Sequence, residues 1–220
     1  MTRFRKAVWW IAISMLAGTP LAAQTEHQQH HPPQDAGSYV AALEAPSRDA
    51  WQQPEKVMAT LALKPGEHVA DIGSGPGYFT LRFARAVGPS GKVYGVDISR
   101  EMLDYLEKQA RADNLNNIQP VLAEPHNPKL HPDSVDVIFI CDTLHHILDR
   151  ATYYPLLLRA LKPGGRLVNI DFHKRPLPVG PPVEMKISQK EMIREAESSG
   201  FHLLREYDFL KYQYFLVFTR

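Results

Sequence analysis

The sequence predicts an α/β fold built on a mostly parallel sheet with helices on both faces. Three observations carry that expectation. Short apolar runs alternate with helix-period stretches along most of the chain after residue 50, the order that parallel strands joined by crossover helices require. The first run, Val69–Ile72, leads into glycines at alternate positions, Gly73, Gly75 and Gly77. A later run, Val135–Cys141, is apolar except at Asp136, as in a strand covered on both sides.

With 220 residues, 44% hydrophobic and 22% charged, the chain fits one domain with a full core plus an appendage. The appendage comes first. Arg3, Arg5 and Lys6 precede the apolar run 7–17, and small residues follow from Gly18 to Ala23. This is the pattern of a secretory signal peptide, residues 1–23, and predicts a periplasmic or secreted protein. The run falls short of the ~20 residues of a spanning helix, so no stable membrane span is expected after its removal; a permanent N-terminal anchor is the alternative. Losing three basic residues leaves 22 basic against 24 acidic, a balance that suggests no nucleic-acid partner. Cys141 is the lone cysteine, so no intrachain disulfide can form; inside an apolar run it reads as a buried small hydrophobe. Residues 24–37 are polar, carry His27, His30, His31 and a Pro32-Pro33 pair, and read as a flexible linker rather than a metal site. The folded domain is expected over 38–220.

Within it, helical patterns run from Tyr39 to Leu43 and from Pro54 to Leu61, the latter with a first-turn proline. Between them, Arg48, Trp51 and Gln52 are candidate pocket residues. His68–Ile72 is the first strand. The glycine loop follows, because close ligand approach needs a backbone without Cβ, and then a helix with Phe79, Phe83, Ala84 and Val87 inward. A dinucleotide loop would place a third small residue at position 78, where Tyr78 stands, so a nicotinamide cofactor is disfavoured. Asp71, just before the glycines, would repel a diphosphate and attract an ammonium group. The second strand, Lys92–Val96, ends in Asp97, whose carboxylate can accept from two ribose hydroxyls, with Ile98 beside it. Ser99 caps the next helix.

The run Asp71-Ile72-Gly73-Ser74-Gly75-Pro76-Gly77, with Asp97 at the end of the second strand, resembles the cofactor loop of class I S-adenosylmethionine-dependent methyltransferases. Leu161-Lys162-Pro163-Gly164-Gly165 resembles that family's turn before its fifth strand. The resemblance implies a Rossmann-like seven-stranded sheet whose last strand is antiparallel and inserted beside the sixth. It also implies S-adenosyl-L-methionine as cofactor, held by Asp71, Gly73, Gly75, Gly77, Asp97, Ile98 and, facing the adenine, Glu124. That last assignment departs from the family pattern, because the third strand, Ile118–Leu122, is followed by Ala123-Glu124-Pro125 where the family has a glycine and an aspartate.

The fourth strand ends in Asp142-Thr143-Leu144-His145-His146, at the strand ends where parallel sheets bind ligands. Asp142, His145 and His146 are the candidate catalytic residues: an imidazole can take a proton from an acceptor, or hold a metal with Asp142, or simply pack. A leucine-rich helix and a strand from Leu167 to Ile170 follow, with Asp171 and His173 at its end. The prolines of 174–186 predict an irregular loop, and Ser188 with Glu191 a capping box. His202–Tyr207 and Tyr212–Phe218 close the sheet. A methyltransferase acting on a small-molecule acceptor is the expected function; the alternative is a non-catalytic S-adenosylmethionine or nucleoside-binding sensor or scaffold. Arsenite methylation, which uses several cysteines, is disfavoured.

Overall fold

The computed structural model describes residues 45–220 together with Val40, Ala41 and Leu43. The expected signal peptide and linker lie outside the described residues. Seven strands form one sheet: β1 (His68–Ile72), β2 (Lys92–Asp97), β3 (Ile118–Leu122), β4 (Val135–Cys141), β5 (Leu161–Phe172), β6 (His202–Tyr207) and β7 (Gln213–Thr219). Their order is β3-β2-β1-β4-β5-β7-β6. Neighbours from β3 to β5 pair parallel, while β7 runs antiparallel to both β5 and β6. The switch point of this order falls between β1 and β2 on one side and β4 on the other, so the ends of β1, β2, β4 and β5 surround one cleft.

The helices given in full among the described residues are α1 (Pro46–Gln52), α2 (Pro54–Leu61), α3 (Thr80–Val87), α4 (Arg100–Ala112), α5 (Arg150–Ala160) and α6 (Gln189–Ser198). The period-2 alternation of the strands sorts the core into two layers. Val69, Val137, Phe139, Val168 and Phe215 meet Val57, Leu61, Phe79 and Phe83 from α2 and the α3 side. Ala70, Ile138, Ile140, Leu167 and Leu216 meet Tyr153, Tyr154, Leu157 and Met192 from α5 and α6. Phe139 is fully buried, with ring centroids 4.8 Å from Phe79 and 4.9 Å from Phe83. Cys141 is buried and free.

Two elements differ from the sequence reading. The segment between the first helical patterns is itself helical, α1, with a proline in its first turn; Gln53 stops it at φ +46° because the following Pro54 disfavours the right-handed helical conformation before it. The fifth strand is also longer than Leu167–Ile170. Leu161 already pairs with Val135, and Arg166 with Val137, so Lys162–Gly165 bulges out of a continuous strand. A Cβ at Gly165 would lie 2.9 Å from the Lys162 carbonyl oxygen and 3.0 Å from that of Asp136, so the bulge closes only around glycine. The proline-rich 174–186 segment carries one short 3-10 turn, Val183–Met185. Ser99 accepts from the Met102 N–H and Ser188 from the Glu191 N–H as the sequence reads, but the expected capping box is only half made, since the Glu191 carboxylate faces Lys174. No helix among the described residues is long and apolar enough to cross a membrane.

Candidate functional site

The loop after β1 turns sharply because Gly73 adopts φ +74°, and a Cβ there would sit 2.1 Å from Thr143 Oγ1. Thr143 is fixed in turn by its hydroxyl donating to the Cys141 carbonyl at 2.9 Å. The β1 loop and the β4 loop are therefore in van der Waals contact at Gly73. Gly77 answers to packing, since its Cβ would meet Leu106 of α4 at 2.7 Å. Above Gly75 the space is open apart from Leu43, whose Cδ1 is 3.6 Å from where a Cβ would be.

Asp97 Oδ2 accepts the Gly75 N–H at 2.9 Å and Oδ1 accepts the Ser99 N–H at 2.8 Å. A carboxylate accepts about four hydrogen bonds, so part of its capacity is left for a ligand. Burial raises its pKa against the backbone donors of Ser99, Gly75 and Ile98. Ile98 is 64% exposed beside it, an apolar surface at the rim of the cleft.

Asp71 behaves differently from the expectation of an open ammonium partner. It is 3% exposed and accepts from Thr80 Oγ1 at 2.6 Å, bracing the loop from below. Burial pushes its carboxyl up to about 7, the Thr80 hydrogen bond and Arg48 opposing. Glu124 lies on the surface; its backbone bridges to Asn127 and its carboxylate pairs with Lys129, where the sequence reading turned it toward an adenine.

The opposite wall joins α1 to the ends of β4, β5 and β7. Asp142, at φ +56°, accepts from Gln213 Nε2 at 2.6 Å, and Gln213 Oε1 accepts from Gln52 Nε2 at 2.9 Å. Both glutamines are fully buried. Arg48 Nη2 stands 3.8 Å from Asp142. Burial pushes the Asp142 carboxyl up to about 6, with Arg48 pulling it down. His145 Nδ1 lies 2.8 and 3.1 Å from the two oxygens of Asp171, and the two side chains are 3% and 0% exposed. His146 is exposed, its ring centroid 4.2 Å from that of His145. Trp51 packs on Phe172 at 5.7 Å. Tyr78 ties α1 to the glycine loop: its hydroxyl donates to Asp49, and the Arg48 and Arg82 guanidiniums lie 4.0 and 4.5 Å from its ring centre.

The structure thus brings together Asp71, the three glycines, Asp97, Ile98, Asp142, His145 and His146, with Arg48, Trp51 and Gln52 across from them. Sequence reasoning missed Thr143, Gln213 and the partnership of Asp171 with His145. One signal for the last was present: β1, β2, β4 and β5 each have an aspartate at or next to the C-terminal end. Among the described residues no group of three or more His, Cys, Asp or Glu is placed to hold a metal.

The profile of the family described as "Methyltransferase domain" matches residues 63–207. This chain belongs to the class I S-adenosylmethionine-dependent methyltransferases. It is similar to a SAM-dependent methyltransferase from Aquifex aeolicus, whose crystal structure superposes with a TM-score of 0.79 at 30% identity, covering 84% of this chain and 98% of that one. It is 35% identical over 112 residues to the ubiquinone/menaquinone biosynthesis C-methyltransferase UbiE of Vibrio campbellii, covering 50% of this chain and 43% of that protein. To the demethylmenaquinone methyltransferase of a Geobacillus species it is 30% identical over 117 residues, 53% of this chain and 50% of the relative. The chain thus spans about half or less of the length of these curated relatives. S-adenosylmethionine is the expected cofactor, and the residues fit it. The cleft offers a Cβ-free backbone at Gly73–Gly75, a strand-end carboxylate with spare acceptor capacity and an exposed apolar side chain beside it.

Proposed function

We propose that the protein transfers a methyl group from S-adenosylmethionine to a small-molecule acceptor. The observation that carries the reading is the Asp97–Gly75 hydrogen bond, which sets a carboxylate for a ribose directly against the open glycine backbone. Gly73, Gly75, Gly77 and Asp97 would hold the adenosyl part, Ile98 would lie against the base, and Asp71 would hold the loop in shape through Thr80. When bound, the cofactor supplies an already activated electrophilic methyl group. The protein's task is then mainly to align the acceptor with that carbon, while His145, His146 and Asp142 are the groups available to manage an acceptor proton. The likeness to quinone C-methyltransferases supports a ring-bearing acceptor. The N-terminal signal pattern supports action outside the cytoplasm, in the periplasm or after secretion.

Calorimetry with S-adenosylmethionine and S-adenosylhomocysteine, followed by transfer of a labelled methyl group to a pool of small-molecule envelope extracts, tests the reading. Binding of both nucleosides with label appearing in a small molecule supports it. Binding without transfer would instead favour the non-catalytic sensor, for which export away from the site of cofactor synthesis is the supporting feature. No binding would end both.

A further inference from the structure

We propose that Asp171 and His145 form one proton-handling unit, in which Asp171 is the positioning residue and His145 Nε2 takes the hydroxyl proton of a phenolic or aromatic-diol acceptor. The inference rests on the methyltransferase reading above and deepens its acceptor half.

Asp171 is completely buried, and a buried carboxylate must be paired and hydrogen-bonded. It receives the Phe172 N–H at 2.8 Å and has both oxygens within 3.1 Å of His145 Nδ1. To donate there, Nδ1 must carry a hydrogen, so the neutral imidazole has its lone pair on Nε2. The dyad also stands beside the cofactor loop: Thr143, whose side chain fills the space over Gly73, is two residues before His145. Phe172, next to Asp171 and on the opposite face of β5, packs against Trp51 of α1.

The charged and titratable groups around the imidazole come from several elements. Asp171 lies on β5, Asp142 follows β4, Arg150 starts α5, and His146 lies ring to ring with His145. Arg48 reaches Asp142 from α1, and Tyr154 and Tyr214 approach Asp171 from α5 and β7. Burial lowers the proton affinity of His145, but the hydrogen bond and charge of Asp171, helped by Asp142, outweigh it, so the pKa ends above its ordinary 6.5. Such a base is strong for an imidazole. A phenolic proton, with a pKa of ~10, is within its reach, whereas an aliphatic alcohol's is not.

The step balances. His145 Nε2 takes the hydroxyl proton, and the freed electron pair forms the bond to the methyl carbon from the oxygen or from the ring carbon beside it. The sulfur–methyl bond breaks with its pair kept on sulfur, leaving a neutral thioether. Where carbon is attacked, the ring proton passes to water as aromaticity returns, and the imidazolium releases its proton to water.

The test uses the full chain, saturated with S-adenosylhomocysteine while histidine side chains are followed by NMR against pH, and supplied instead with S-adenosylmethionine for turnover of two probe acceptors, 1,4-naphthalenediol and its dimethyl ether. In the wild type His145 should be the Nδ1–H tautomer. In Asp171→Asn its pKa should move down, and turnover of the diol should fall by about 10²-fold or more, the lower end of what a general base contributes. Cofactor affinity should stay unchanged, and Asp171→Glu should restore part of the rate. An unaltered His145 titration, or wild-type turnover in Asp171→Asn, overturns the dyad. Methylation of neither probe, or of the ether as fast as the diol, overturns the acceptor class. Because cofactor binding is measured in the same samples, its loss in the wild type would mark failure of the methyltransferase reading itself.

Discussion

Replacing Asp71 by asparagine tests whether a carboxyl group is being held neutral beneath the glycine loop. Burial raises its pKa from 3.8 to about 7, so between those values the folded protein binds a proton that the unfolded chain does not. The folded pKa is raised, so the stability this group contributes is fully present below pH 3.8 and is lost as pH rises through about 7. A rise of that size corresponds to ~4 kcal/mol across the window at 1.36 kcal/mol per pKa unit. Asparagine keeps an oxygen for the Thr80 hydroxyl, which donates at 2.6 Å, and carries no titratable proton. Urea unfolding of both proteins at a series of pH values from 4 to 8, with matched m-values, gives the difference in which all other titrations cancel. Relative to Asp71→Asn, the wild type should lose about 4 kcal/mol across that range. Two profiles that run parallel, within ~1 kcal/mol, would refute the argument that desolvation governs this carboxyl.

Other substitutions probe the same site and its scaffold. Gly73→Ala puts a Cβ 2.1 Å from Thr143 Oγ1 at φ +74°; it should cost more than the ~1–2 kcal/mol of a left-handed alanine and weaken S-adenosylhomocysteine binding at least about tenfold, read by urea unfolding and calorimetry. Asp97→Asn removes the charge from ribose recognition and should lower cofactor affinity by about 10- to 100-fold, since charge-assisted hydrogen bonds contribute ~1.5–3 kcal/mol each; equal affinity in calorimetry would remove Asp97 from the site. Phe139→Ala empties a fully buried position between Phe79 and Phe83 and should cost ~3–5 kcal/mol in urea unfolding.

Much of the fold was legible because its signals are local. The strands His68–Ile72, Ile118–Leu122 and Val135–Cys141 are apolar runs with clear stops, and Ser99 and Ser188 announce helix starts. What escaped was set by tertiary contact. The extension of β5 to Leu161 depends on a partner at Val135, and a Pro-Gly-Gly turn hides it. The α1 helix has few apolar positions of its own and gains its partners from Gln213, Asp142 and Tyr78, which are distant in sequence.

The site divides along the same line. The cofactor half is a contiguous loop plus one aspartate 20 residues beyond it, and a sequence displays such a spacing directly. The acceptor half is a pairing of β4 and β5 ends across 26 residues, His145 with Asp171, and only the register of two parallel strands reveals it. Asp71 illustrates the remaining gap: its position predicted a ligand contact, while its alternation in β1 turned it inward toward Thr80.

One cleft gripping an adenosyl amino acid is the central claim, and a crystal structure with S-adenosylhomocysteine tests it most directly. It should show the nucleoside lying on the Gly73–Gly75 backbone, its ribose hydroxyls within hydrogen-bonding distance of Asp97. Density for the nucleoside elsewhere, with Asp97 still facing only Gly75 and Ser99, would contradict it.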